Sequence, residues 1–237
     1  IAVAQALVQL SSIEYHKYLL ANSHSQMQET EEAIRKEISR VDLSSLPPHS
    51  LESSSWHLTI GRWYYSLYQL RREDSTLEEA KKAFGEASKV GAVGPESQRT
   101  ADLIKADALL GLGDLARLAA KWEEADEHYK FAVDLTDKYF DRDSQRVRRV
   151  IEREAIVQYH LKRWLHAEGL LRRLLDYYNE HSPVVGEALP QAQMECMQNY
   201  VKMMESRGRG SETESLKSKL ASVTTVLPYP TFDPYAF

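Results

Sequence analysis

Four arginines, Arg146, Arg148, Arg149 and Arg153, form the densest basic cluster of the chain. A guanidinium is a planar fork of donors. Arg149 and Arg153, four apart on one helical face, could therefore grip a carboxylate or phosphate bidentately. Glu152, Glu154 and Asp143 offer the competing outcome, pairing within the chain. Beyond this cluster the chemistry is sparse. The sequence has no G-x-S-x-G, no P-loop, no G-x-G-x-x-G, no H-E-x-x-H and no C-x-x-C. Gly111-Leu112-Gly113 lacks the third glycine and lies in a helical pattern, so packing rather than phosphate binding is its expected role. Cys196 stands between Met194 and Met197 and reads as a small apolar filler. His160 and His166 flank a turn without further ligand types, too little for a metal site. No catalytic residue, metal or cofactor is expected, and the chain is read as a non-enzyme.

Composition narrows the elements that must carry these residues. Of 237 residues, 43% are hydrophobic and 27% charged, with a net charge of -5, which excludes a general attraction to nucleic acid or anionic membrane. Only 10 Gly and 8 Pro are present, too few for the frequent turns of a β-sandwich. The most apolar stretch, residues 1–20, is broken by Gln5, Gln9, Glu14 and Lys17, so no membrane insertion is expected. A single cysteine allows no internal disulfide and suggests a reducing, intracellular setting. The first residue, Ile1, is read as the mark of a fragment.

Apolar residues recur at spacings of three and four, and no segment alternates for long, so helices and no strands are expected. Residues 101–120 carry one stripe, Ile104, Ala108, Leu112 and Leu115. Residues 122–139 carry another, Trp122, Ala125, Tyr129, Ala132 and Leu135. A second pair, 145–161 and 164–178, follows, and Trp122 and Ala125 recur as Trp164 and Ala167. One pair earlier, Leu77, Ala80, Phe84 and Ala87 match the same pattern. A fixed period of this size marks a stacked helical repeat. Carboxylates at the starts of second helices, Glu78-Glu79 and Glu123-Glu124-Asp126-Glu127, are expected to complement the helix dipole and keep an outer face solvated. Residues 42–55, Ser-rich with Pro47-Pro48, read as a long connection, and Pro190 as the first turn of a helix. The boundaries are thus an N-terminal helix pair or cap at 1–50, repeats at 51–205, a capping helix at 206–225 with Leu216, Leu220 and Val223 on one face, and a Pro/aromatic tail at 226–237.

Leu109-x2-Leu112-Gly113-x2-Ala116 followed by Ala125-x3-Tyr129 resembles the tetratricopeptide (TPR) pattern W-x2-L-G-x2-Y, A-x3-F. Ala80-x3-Phe84 and Ala167-x3-Leu171 resemble its second half. The lengthened period, Arg163 to Glu168 with Arg172-Arg173, and His181-Ser182-Pro183 are similar to the kinesin light chain type. The third pair departs, with Glu154-Ala155 for Leu-Gly, and the earliest pair is read without a glycine. The resemblance spans about residues 56–207. It implies an all-α, right-handed α-α superhelix in which Gly113 and Ala125 meet where paired helices cross.

It also implies a concave groove lined by first helices. Aligning Gly113 with the pattern points Asp107, Leu110, Asp114 and Arg117 into that groove. The next repeat supplies Arg149, Glu152, Ile156 and Tyr159, with Arg153 beside them. The following helix supplies Gln191, Met194 and Gln198. Charged, amide and apolar groups in one groove suit an extended or helical peptide, here one with an acidic segment facing Arg149 and Arg153. Asp114 would repel a carboxylate, which counts against a chaperone-tail clamp. The expected role is a protein-interaction scaffold or adaptor. The alternative is a regulatory or docking domain of a larger enzyme or assembly, in which the tail 226–237 contacts its own chain or another subunit.

Overall fold

The computed structural model describes Ala6 and residues 24–140, 144–181, 188–223 and 225–227. The helix expected at residues 2–21, and the tail beyond Leu227, lie outside the described residues. The chain divides into two compact units, residues 1–119 and 120–237.

In the first unit α1 (His24–Arg40) is followed by a 3-10 turn at Leu43–Ser45, then α2 (Leu51–Arg71), α3 (Asp74–Ala87) and α4 (Pro95–Leu118). The expected long connection is shorter than the Ser-rich composition suggests. Ser50 caps α2 by accepting the Ser53 N–H at 3.2 Å, and Ser53 and Ser54 are buried inside the helix. Pro95 opens α4, where its missing N–H costs nothing, and the Ser97 hydroxyl accepts the Gly94 N–H. Trp56, Ile60, Trp63 and Leu67 of α2 close a core with Met27 and Ile34 of α1 and Ala83 of α3. Ala80, Phe84 and Ala87 of α3 build a second core with Leu58 of α2 and Ile104, Ala108 and Leu115 of α4.

Phe84 is the centre of that second core, and glycine makes room for it twice. A methyl group built at Gly111 would lie 2.5 Å from Cζ of the ring, and one built at Gly61 2.6 Å from Cδ1, with Cε1 between them close to both. The earliest pair therefore does carry a glycine, Gly61. It escaped the pattern because it lies on α2 outside any Leu-Gly pair. Gly111 has the expected packing role.

The second unit contains α5 (Trp122–Asp137), α6 (Gln145–His160), α7 (Trp164–His181), α8 (Gln191–Ser206), a 3-10 turn at Gly210–Thr213 and α9 (Glu214–Ala221). Neighbours pack in chain order, α5 on α6, α6 on α7, α7 on α8 and α8 on α9. One core runs through the last four, from Val147, Ile151 and Ala155 through Ala167, Leu171 and Leu174 to Cys196, Met197 and Met203. Ala155 and Ala167 are both buried in it, so alanine keeps the small residue where the TPR pattern has Gly. Leu216, Leu220 and Val223 pack against the same core.

Two departures from expectation stand at the end of this unit. A parallel pair of three-residue strands, β1 (Ala188–Pro190) and β2 (Thr225–Leu227), joins Pro190 to Leu227, although the sequence had suggested no strand. Three residues are too few to show a period of two. Pro190 is consequently the N-cap of α8 rather than part of its first turn.

The turns between helices share a device. Arg72 and Lys162 have positive φ, 56° and 59°, each two residues before α3 or α7. The left-handed residue reverses the chain in one step, a role that glycine fills at least cost.

Candidate functional site

On α4, Asp107 is bound by Arg62 of α2 at 3.0 Å, an ion pair within the first unit. Asp114 is only 3% exposed and lies 3.7 Å from the Arg117 guanidinium, so it offers no open charge to a ligand. Leu110 and Arg117 are half-buried. Gly113 and Ala125 are each buried.

In the second unit two of the remaining expected residues meet at one cavity beside α6 and α8. Ile156 and Tyr159 line a cavity of about 120 Å³ whose other walls are Ala155, His160, Leu171, Asn199 and Lys202. Ala155 and Leu171 are buried, Asn199 is half-buried and Lys202 is exposed, so the lining mixes apolar groups with an amide and an ammonium. Asn199 and Lys202 were missed by the sequence reading, although Lys202 lies one helical turn beyond Gln198. Gln198 is exposed, Met194 is half-buried, and the Gln191 amide donates to Glu195 at 2.8 Å.

One and two turns before Ile156 on α6, the arginine cluster surrounds Glu152. This carboxyl is largely buried, and burial pushes its pKa up to about 7, with Glu195 adding to the rise and Arg153, Arg149 and Arg148 opposing it. Its Oε1 accepts no hydrogen bond and is closed to solvent. Arg149 and Arg153 thus act on Glu152 through their charge. Arg148 lies over the Tyr177 ring at 3.7 Å and Arg146 over Phe140 at 5.5 Å.

The histidines have structural partners. His160 stacks on Trp122 at 3.8 Å, and His166 lies 3.6 Å from Glu154. Burial raises the Glu154 pKa, and the nearby His166 moderates the rise. Burial also pushes the Cys196 thiol well up, to the high side of any useful nucleophile, and its S–H donates to the Leu171 carbonyl at 3.8 Å.

The expected solvated face of α5 needs correction at Asp126, which is 4% exposed. It accepts from the Gln158 amide and the Arg163 guanidinium, each at 2.6 Å, and from Lys130 at 2.8 Å. Burial alone would raise its pKa, but the Lys130 and Arg163 hydrogen bonds outweigh that and hold it low. The matching residue one period later, Glu168, is bound by Arg172, Arg207 and Arg209 at 2.8, 2.6 and 2.9 Å. Each acid follows the small alanine of its repeat and takes an arginine from beyond the next helix. The signal was present in the sequence as the shared spacing of Asp126 and Glu168 after Ala125 and Ala167.

This arrangement of buried small residues, paired helices and repeated acid–arginine clasps is a TPR-like helical-repeat fold. Solved structures bear this out. The chain is similar to the nearly identical TPR-like repeats of a P. anserina kinesin light chain protein, at 12% identity and a TM-score of 0.62, over 93% of this chain and 95% of that one. A single-substitution variant of that protein matches with a TM-score of 0.63, also at 12% identity, over 93% and 95% of the two chains. BtubC (BKLC) from P. vanneervenii matches at 13% identity and a TM-score of 0.61, over 97% of this chain and 96% of that one. The fold is thus of the TPR-like kinesin light chain type. No family model matches the sequence, and no curated protein does. Among the described residues, no helix is long and apolar enough to cross a membrane, and no cluster of three metal-ligating side chains occurs.

Proposed function

We propose that the chain is a non-catalytic interaction scaffold that holds a segment of a partner protein against α6 and α8. The observation that carries this reading is the α6–α8 cavity. Its lining combines buried Ala155 and Leu171 with Ile156, Tyr159, His160, Asn199 and the exposed Lys202. Engineered apolar cavities of about 150 Å³ accept a benzene ring, so about 120 Å³ fits one branched aliphatic side chain. Asn199 and Lys202 would then fix the neighbouring backbone and an acidic side chain, with Arg149 and Arg153 one to two turns away extending the basic rim. Recognition of this kind places a buried apolar anchor inside a polar rim.

Selection of binders from a random peptide library on the full chain tests this. Selected peptides should share an aliphatic residue beside an acidic one. Ile156→Glu and Lys202→Glu should each weaken them at least tenfold, while Asp134→Lys on the exposed face of α5 should not. Binders indifferent to both cavity variants would refute the assignment. Losses at Lys202→Glu without any at Ile156→Glu would refute the apolar anchor.

A further inference from the structure

Glu152 lies where α6, α7 and α8 meet, and its surroundings do not match what a permanent carboxylate requires. Its Oε1 is closed to solvent and accepts no hydrogen bond. From α8 it faces Glu195, a second carboxyl, and the Cys196 thiol. From α7 it faces the Tyr178 phenol, which is pushed well up by burial first and by Glu152 next. Arg148, Arg149 and Arg153, the groups among the described residues that chiefly favour its charged form, are all on its own helix. Charge on Glu152 therefore meets attraction along α6 and repulsion or poor solvation towards α7 and α8.

We propose that Glu152 is a proton switch on the α6–α8 contact, closed while the carboxyl is neutral and loosened when it ionises. The reading that the groove binds a partner is a separate matter. If it holds, occupancy of the groove becomes sensitive to pH around neutrality.

The sign follows from linkage. The closed state raises the pKa from the ordinary 4.5 to about 7. The stabilisation of the closed contact is then complete below pH 4.5, is lost as pH rises towards 7, and stays lost above it. With those two values the opening equilibrium rises roughly fiftyfold between pH 5 and pH 7.5.

The test uses the unliganded full chain, so that failure of the groove reading leaves it untouched. Amide exchange of α8 residues 191–206, corrected for the intrinsic rate, should show roughly fiftyfold less protection at pH 7.5 than at pH 5. Glu152→Gln, which keeps the shape and cannot ionise, should remove that difference. The carbon-13 carboxyl resonance of Glu152 in the wild type should titrate near 7, and Glu195→Gln should move the midpoint down. A Glu152 midpoint below 5 would overturn the proposal. So would a Glu152→Gln protein that keeps the wild-type pH dependence in α8. Peptide affinity measured at both pH values then reports on the groove reading alone.

Discussion

Replacing Gly111 by alanine adds one methyl group in the middle of α4, and two effects oppose each other. In an open helix interior the change should stabilise by about 1 kcal/mol, because alanine restricts the unfolded chain and favours the helix. At Gly111 the new methyl would stand 2.5 Å from the Phe84 ring, so the ring would have to retreat by about 1 Å to reach ordinary contact. Room to retreat is short. Gly61 crowds the adjoining part of the same ring, where a Cβ would stand 2.6 Å from Cδ1 and 2.8 Å from the Cε1 that Gly111 also faces, and Phe84 is only 2% exposed. A trapped ring puts the overpacking cost near the top of the usual range, about 3 kcal/mol, for a net loss of about 2 kcal/mol. For a chain of this size that is a fall in Tm of roughly 4–8 °C. Gly85, beside Phe84 on α3, has nothing within 4 Å of a built Cβ, so Gly85→Ala carries only the favourable effect and should raise Tm by roughly 2–4 °C. Thermal unfolding of both variants, with Phe84→Leu as a third, forms the assay. In the Phe84→Leu background the Gly111→Ala loss should shrink to below about 1 kcal/mol. A Gly111→Ala protein that melts at or above the wild type would refute the wedged-ring account.

The other expectations concern turns and clasps. Arg72→Gly and Lys162→Gly should each stabilise by about 0.5–1 kcal/mol, since glycine enters the left-handed region without the Cβ cost; a loss in urea unfolding would contradict the turn geometry. Asp126→Ala should cost about 2–4 kcal/mol by orphaning Gln158 and Arg163, whereas Asp134→Ala on the same helix, where the side chain is exposed, should stay within about 0.5 kcal/mol. Asp126 and Glu168 are both held below their ordinary pKa values of 3.8 and 4.5, so their contribution is complete above about pH 5 and is lost as pH falls further. Acid titration by circular dichroism should accordingly show Asp126→Asn and Glu168→Gln with flatter profiles below pH 5 than the wild type.

Much of the fold was legible because helix pairing leaves a local record. The starts of α5, α6 and α7 fall at Trp122, Gln145 and Trp164, as the stripes of apolar residues suggested. That Ile156 and Tyr159 share one face of α6 was also legible, since the phase of a helix fixes which of its residues lie together. Asn199 and Lys202 were not, because the phase of α8 relative to α6 depends on how deeply Cys196 and Met197 sink into the shared core. The state of Glu152 was equally hidden. Three arginines beside it in sequence suggested a salt bridge, while the carboxyl of Glu195 and the phenol of Tyr178 approach from other helices.

The sequence by itself determined that the chain forms paired helices with a long, TPR-like period, because a 3.6-residue periodicity and small residues at regular offsets are properties of neighbouring positions. It also determined the scarcity of ready-made chemistry, a matter of which residue types occur at all. Tertiary structure decided which glycines face an aromatic ring, which acids of an apparently solvated run are buried, and which carboxyl oxygen is buried without a hydrogen bond. Those outcomes depend on atoms brought in by a different helix. Asp126 and Glu127 are adjacent in the chain, yet only Asp126 turns inward to meet Gln158 and Arg163. Burial and solvation are set by that meeting, and no local pattern records it.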